Sequence, residues 1–517
     1  MQLKGIFDIF VFETLFLGAI LASRLALTWT QEQNMDEYYE SFDNAWIKVS
    51  LGPNKFEKDE VCYPQYGCFS NEKYFDPQSR PLVEVPASPR AVNLSYELFT
   101  SKNPKNSINF QFDDPDVLGT VSKVQFDPNA GTKFLIHGWG TKPLHFFWLW
   151  RLKDLLLHYE PSSNIFIVNW MKFVKSHTVQ ENVVTTELIG RMIARMIREL
   201  KIPPQNIHIF GNDMGAHIAG VIGTQFENPK IARITGLDPS RNFFDHDFRS
   251  IRLDYSQADY VDTVNTDSGF RGLGRNIGHI NIFPNGGSNQ IGCEESHWPK
   301  NLSKGAKYVK SVICDHSRAF LLMMENWSNG TIDCEPIAYA CDSYGRYERG
   351  SCTECGDKNQ HCELLGLEKL PGRELPSPDE DTSYYIQTSD KSPFCVHHYR
   401  VKIMTKNPKR LQGILNIGLL DLDENVSIDL ERMRGKEDEI YSSLFVHQKP
   451  LMEINQALVS FNATKTSSTD ELWIEKIHFK LMSTLSEEKK KKFSQILCPK
   501  NPEDFVTDRP ITFVKCD

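Results

Sequence analysis

The stretch Ile207-His208-Ile209-Phe210-Gly211-Asn212-Asp213-Met214-Gly215-Ala216-His217-Ile218-Ala219-Gly220 decides the fold. An apolar run, a glycine-flanked corner and a small-residue helix follow one another without a linker, the pattern of a buried strand that turns sharply into a helix. A corner of this kind holds its central side chain in a strained turn, exposed, with neighbouring N–H groups free to receive an oxyanion. Serine is the residue expected at the centre, and Asp213 stands there instead. The corner is intact and its hydroxyl is missing.

Outward from that corner, Phe134-Leu135-Ile136 and Ile165-Phe166-Ile167-Val168 read as further buried strands. Ile189, Met192, Ile193, Met196, Ile197 and Leu200 fall on one helical face, a core stripe. From Cys62 to about Leu370 short strands alternate with amphipathic helices, which predicts a mostly parallel sheet covered on both faces. Leu370-Pro371-Gly372-Arg373-Glu374-Leu375-Pro376-Ser377-Pro378 and the acidic Asp379-Glu380-Asp381 leave little room for a regular element, so the first domain is expected over 61–371 and a junction over 372–394. Over 395–517 the alternation of His398–Ile403 and Gly413–Leu420, with no amphipathic helix in evidence, predicts a β-sandwich. No internal repeat is evident.

A chain of 517 residues exceeds one ordinary core, and its net charge of −9 argues against a nucleic-acid binder. Hydrophobic content of 40% and aromatic content of 11% describe a globular protein. Residues 1–27 carry Lys4, an apolar run from Ile6 to Ala22 and small residues at its end, which reads as a secretory signal, with an uncleaved anchor as the other reading. Asp8 and Glu13 interrupt that run and count most against the anchor. No other stretch is long and apolar enough to span a bilayer. Residues 28–60 form a polar, acidic leader. Twelve cysteines in an exported chain imply disulfides, and sequons at Asn93, Asn301, Asn326, Asn329, Asn425 and Asn462 fit the same extracellular compartment.

Asp238, in Ile234-Thr235-Gly236-Leu237-Asp238-Pro239, and His316, in Cys314-Asp315-His316-Ser317-Arg318, follow the corner in the order nucleophile, acid, histidine. With His137-Gly138-Trp139 and Gly278-His279-Ile280-Asn281-Ile282-Phe283-Pro284-Asn285-Gly286-Gly287, the chain resembles the secreted vertebrate-type family of pancreatic, lipoprotein and hepatic lipases from Cys62 to Cys516. The resemblance implies an α/β hydrolase domain followed by a C-terminal PLAT-type β-sandwich. It also implies a degenerate triad of Asp213, Asp238 and His316, and an oxyanion hole from the N–H groups of Trp139 and Met214. His137 and His279 stand in the family strings, where the implied role is structural hydrogen bonding; His217 is a helix histidine near the corner, and none of the three has a catalytic claim approaching that of His316. The bridges usual in that family would be Cys62 with Cys68, Cys293 with Cys314, Cys341 with Cys352, Cys355 with Cys362 and Cys498 with Cys516. Cys334 and Cys395 are left over on either side of the junction, as a sixth bridge or as two free thiols.

Three further features follow from the resemblance. Cys293 to Cys314 encloses the segment that matches a lipase lid, but four lysines, a proline and the Asn301 sequon predict a solvated cover over an interfacial one. Arg249, Arg252, Asp254 and Gln257 match a structural calcium site, with Gln257 in place of the second carboxylate, so calcium binding is expected to be weak or absent and no cofactor is expected. Lys489, Lys490, Lys491 and Lys492 form a basic run, read as a solvated loop or as a heparan sulfate contact. The tryptophan-rich lipid-binding loop of lipoprotein-type members is not apparent.

Loss of a serine nucleophile costs roughly a million-fold in turnover, about 8 kcal/mol of barrier. The expected protein is therefore a secreted lipase homologue without esterase activity, acting by binding lipid or a lipoprotein surface, glycosaminoglycan or another protein. Residual ester hydrolysis is a further possibility. The competing reading is an enzyme that uses Asp213 as nucleophile, as haloalkane dehalogenases and epoxide hydrolases do on the same general fold.

Overall fold

Alternation of side chains along the central strands sorts them to two faces. Phe134 and Ile136, Ile207 and Ile209 pack on one face with the helices Val179–Glu199 and Met214–Gly223. Leu135, Phe210, Ile280 and Ile282 pack on the other with the helices Phe147–Tyr159 and Lys304–Ser328. The computed structural model describes residues 59–140, 146–246, 248–294, 304–328, 334–370, 372–376, 382–406, 413–420, 424–429, 440–451, 454–463 and 472–516. The expected signal segment, nearly all of the leader, the sequons at Asn301 and Asn329, and positions 295–303 of the expected lid lie outside the described residues.

A hairpin of β1 (Glu60–Tyr63) and β2 (Gly67–Ser70) precedes the main sheet. That sheet comprises β3 (Ser95–Phe99), β4 (Ile108–Gln111), β5 (Thr132–Ile136), β6 (Asn164–Asn169), β7 (Ile207–Asn212), β8 (Ile231–Leu237), β9 (Ala258–Val264), β10 (Ile280–Pro284), β11 (Ile337–Cys341), β12 (Cys362–Leu364) and β13 (Ser383–Ile386). Their spatial order is β12-β11-β13-β10-β9-β8-β7-β5-β6-β3-β4. The run from β13 to β6 is parallel, and an antiparallel pair closes each side. This is the doubly covered sheet of an α/β hydrolase.

The expected boundary at Pro371 is corrected by β13, which lies inside the supposed junction yet inserts between β10 and β11. Four residues between a proline-rich stretch and a polar loop carry too short an alternation to read, and Tyr384 and Ile386 are nevertheless buried in the sheet's second core. The segment expected as a lid is helical from Lys304 onward and continuous with His316.

The C-terminal sheet comprises β14 (His397–Thr405), β15 (Gly413–Leu419), β16 (Glu424–Asp429), β17 (Ile440–His447), β18 (Gln456–Ala463), β19 (Ile474–Leu481), β20 (Gln495–Pro499) and β21 (Ile511–Lys515). Its antiparallel order β16-β15-β18-β21-β20-β19-β14-β17 encloses one core that includes Tyr399, Leu415, Val459, Phe479 and Phe513, the arrangement of a β-sandwich. The lysine run expected as a loop forms the helix Glu487–Phe493 instead. Ser486 caps it by accepting from Lys489 N at 3.3 Å, Glu487 and Glu488 stand at its positive end, the lysines at its negative end, and Phe493 buries in the sandwich core.

Six disulfides form: the five usual pairs and Cys334–Cys395. The two domains share an apolar cluster of Ile337, Tyr339, Tyr347, Leu370 and Met482. Polar bonds surround it: Tyr339 Oη donates to Met482 O (2.7 Å), Thr484 Oγ1 to Glu335 Oε1 (2.7 Å) and Leu485 N to Glu335 Oε2 (3.0 Å). Cys334 adjoins Glu335, so the sixth bridge closes a loop with a sequence separation of 61 at this junction. Replacing both Cys334 and Cys395 by serine is expected to lower stability by up to about 4 kcal/mol, the loop-closure value for that separation. Urea unfolding followed by tryptophan fluorescence measures it, and an unchanged midpoint would show that the shared cluster holds the junction without the bridge.

Candidate active site

Strand β7 ends at Asn212 and the helix begins at Met214, leaving Asp213 at φ 55° and ψ −123°. Such a conformation in a non-glycine residue costs on the order of 1–3 kcal/mol and persists where its surroundings over-determine it. They do so here. Asp213 N donates to Leu237 O (3.1 Å), Asn212 Nδ2 donates to the same carbonyl (2.9 Å), and Ala216 N donates to Asp213 O (3.1 Å). A Cβ on Gly211 would lie 2.3 Å from Gly215 O, and one on Gly215 would lie 2.3 Å from Ile136 O, so both flanking positions need glycine.

The three expected triad positions converge. His316 Nδ1 bonds Asp238 Oδ2 at 2.6 Å, and His316 Nε2 faces Asp213 Oδ1 at 3.8 Å. Asp238 is wholly buried at the end of β8, and its Oδ1 accepts from Thr266 N (2.8 Å) and Asp267 N (3.1 Å), which fixes the carboxylate toward the ring. The expected oxyanion-hole donor Trp139 N donates to Asp213 Oδ2 at 2.8 Å. Gly138 permits that approach, since a Cβ there would lie 2.4 Å from Asp213 Cβ. Met214, whose amide is the second expected donor, begins the helix and is buried. One of the two expected donors is therefore engaged by the Asp213 carboxylate, and an oxygen entering there would have to displace it.

Buried histidines hold this frame by hydrogen bonds. Trp170 N donates to His137 Nε2 (3.2 Å), so Nδ1 carries the proton bonded to Gly138 O (2.8 Å), and burial pushes the pKa of His137 down to about 4. Leu253 N likewise donates to His217 Nδ1 (3.1 Å), leaving Nε2 to donate to Ser240 O (2.7 Å); burial lowers that pKa to about 3. Both rings are neutral struts. Val261 N donates to His279 Nδ1 (3.0 Å) in the same manner.

Sequence reasoning missed two acidic neighbours. Asp267 follows β9 and is buried, with Oδ2 unpaired; burial, with the Asp238 carboxylate alongside, raises its pKa well above the ordinary range. Asp315 accepts from Gln290 N (2.6 Å), and burial raises its pKa to about 7. The only visible signal was adjacency: Asp315 precedes His316 in the chain. Asp238, Asp267 and His316 bring one possible ligand atom each within 4.8 Å, but the 2.6 Å Asp238–His316 bond is too short to admit a metal between them.

The residues matched to a calcium site do not fit that ion. Gln257 Nε2 donates to both Arg249 O and Arg252 O at 2.7 Å, which places a hydrogen-bond donor where the carbonyls would meet a cation. Arg252 Nη1 and Arg249 Nε lie 3.5 and 3.7 Å from Asp254 Oδ2 and meet its charge.

The chain belongs to the Lipase family, whose model matches residues 59–394. It is similar to Lipase member H of Danio rerio, 34% identical over 316 residues covering 60% of this chain and 66% of that protein. It is also similar to Inactive pancreatic lipase-related protein 1 of Homo sapiens, 31% identical over 376 residues covering 70% and 77%. A third relative is Phospholipase A1 member A of Rattus norvegicus, 30% identical with 72% and 78% covered. Proteins named as enzymes and proteins named inactive thus both stand among its relatives.

Asp315 gives the site a pH signature. Its folded pKa, about 7, lies above the ordinary value of 3.8, so its stabilising contribution is whole below about pH 4 and is lost as pH rises through about 7. Asp238, Arg318 and Glu294 are the charged groups that act on it, and Gln290 N is its hydrogen-bond donor. Asp315→Asn keeps an oxygen for Gln290 and should show a shallower fall in stability than wild type across that window. Denaturant midpoints measured along a pH series test this, and parallel curves would remove Asp315 as the cause.

Proposed function

We propose that this protein is a secreted Lipase-family member that does not hydrolyse esters and acts by binding. The observation that carries the reading is the 2.8 Å bond from Trp139 N to Asp213 Oδ2. An acyl-transfer site needs a nucleophile and a hole left open for the developing oxyanion, and here a single carboxylate removes the first and fills the second. Attack by that carboxylate on an ester would in any case form a reactive anhydride. Asp238 and His316 remain aligned with no alkoxide to generate.

Six disulfides support an oxidising compartment, and among the described residues no helix is long and apolar enough to cross a membrane. Asn462, exposed on β18, is an accessible sequon. The C-terminal β-sandwich is read as PLAT-type from its position after the hydrolase domain. An apolar ligand suits the loops beside the site, because Phe270 and Ile291 are exposed on the loops that carry Asp267 and Gln290. A polyanion at Lys489–Lys492 is the less supported ligand: Lys490 pairs with Glu487 (2.7 Å) and Lys489 with Glu335 (3.7 Å).

One observation favours a second reading. With Oδ2 of Asp213 held by Trp139, Oδ1 is left toward His316, the posture of a carboxylate that attacks carbon and is freed by histidine-activated water. Incubation with epoxides or haloalkanes in ¹⁸O-water, followed by mass analysis of the peptide containing Asp213, separates the two: label at Asp213 would establish an aspartate nucleophile.

For the first reading, wild-type protein should hydrolyse neither triglyceride nor short soluble esters and should resist fluorophosphonate. Asp213→Ser, which frees the Trp139 donor and restores the hydroxyl, should gain only weak activity on a short ester, removed again by His316→Ala, and none on emulsified triglyceride, because placement within a fraction of an ångström is required. Fluorophosphonate labelling of the wild-type pocket would overturn the inert-site reading.

A further inference from the structure

The loop from Arg249 to Gln257 gathers oxygen acceptors around one point. The carbonyls of Arg249 and Arg252 each lie 2.7 Å from Gln257 Nε2, and the Asp254 carboxylate stands in the same turn. Gln257 completes the ring from its other atom, since Asp254 N donates to Gln257 Oε1 at 2.8 Å. Gln257 and Asp254 are both nearly fully buried, and Gln257 bonds all three main-chain groups. A calcium ion would bind oxygen at about 2.3–2.6 Å. The amide nitrogen therefore occupies very nearly the position that a divalent cation would take between those carbonyls.

We propose that Gln257 is a built-in replacement for a divalent cation: its amide nitrogen satisfies the carbonyls, while Arg252 and Arg249 balance Asp254, so that the loop is fixed without metal. The charges agree. One carboxylate facing two guanidinium groups leaves no negative excess to attract calcium, whose affinity grows with the number of charged ligands.

The clamp also sets the helix that begins after Asp213. A Cβ on Gly220 would lie 2.5 Å from Gln257 Oε1, and one on Gly223 2.4 Å from Gln257 O, so two helical glycines bring Met214–Gly223 directly onto this side chain and its backbone. His217, on the same helix, accepts from Leu253 N inside the loop (3.1 Å). A loosened loop would release the helix from the face opposite the sheet.

The test uses the full chain, differential scanning calorimetry and calcium titration calorimetry. Wild type should bind no calcium, and its Tm should be the same in EGTA and in millimolar calcium. Gln257→Asp, one carbon shorter and charged, withdraws the amide from between the carbonyls and adds a carboxylate ligand. It should lose Tm in EGTA, bind calcium and recover, the folding equilibrium shifting about a hundredfold when calcium stands at about a hundred times its Kd. Gln257→Leu should lose Tm with no recovery. If the aspartate variant folds only poorly, refolding yield with and without calcium reads the same effect. Calcium binding by wild type, or a folded Gln257→Asp that ignores calcium, would overturn the proposal.

Discussion

The hydrogen bond from the Trp139 amide to the Asp213 carboxylate is the constraint on which the site turns. A backbone donor is fixed by the fold, so substitution at the corner cannot remove it; it changes only what the donor meets. A carboxylate at φ 55°, with Gly138 leaving room beside it, meets that donor directly. A charge-assisted bond of this type is worth about 1.5–3 kcal/mol, comparable with the strain of the corner. In a serine site the hole gains its partner only as the oxyanion forms, and that difference between ground and transition state is the catalysis. On the proposed reading, a carboxylate that engages the Trp139 donor in the ground state removes that difference even though the donor remains in place.

The frame around Asp213 is held by contacts that serve folding. The bonds that align Asp238, from Thr266 N and Asp267 N, also tie the end of β8 to the loop after β9. Leu237 O receives both Asp213 N and Asn212 Nδ2, which joins β7 to β8 at their ends. His137 and His217, neutral and buried, link loops that would otherwise leave amide and carbonyl groups without partners. Each contact serves folding whether or not an ester is ever bound. On the proposed reading, a change in the side chain at position 213 leaves these contacts intact.

Legibility in the sequence followed the range of the interaction. The β7 corner, the core stripe on Val179–Glu199 and the strands flanking β7 could be read because each is a local pattern of apolar spacing and glycine. Strand β13 could not, because its four residues gain meaning only from their place between β10 and β11. The helix Glu487–Phe493 was masked by its own charge: a lysine run reads as solvated, while capping by Ser486 and burial of Phe493 depend on three dimensions. At the site, Asp213, Asp238 and His316 were legible from order along the chain. The burial that raises Asp315 and Asp267 was not, since it is a property of packed neighbours, and occupation of the hole by Asp213 Oδ2 required the rotamer as well as the residue.

Asp213 and Gln257 share a logic that bears on how the protein works. At each, a side chain of the chain itself stands where a separate species would otherwise sit: an anionic oxygen in the hole, a donor between two carbonyls. Covalent attachment removes the translational and rotational cost of recruiting that species, so both positions are satisfied in every folded molecule at any substrate or calcium concentration. The helix Met214–Gly223 is held at its first turn by one and along its length by the other. Its geometry is therefore set by folding alone. On the binding reading proposed above, recognition falls to surfaces the frame holds in fixed relation: Phe270 and Ile291, exposed on the loops that carry Asp267 and Gln290, and the sandwich joined to the hydrolase domain through the shared core around Tyr339 and Met482.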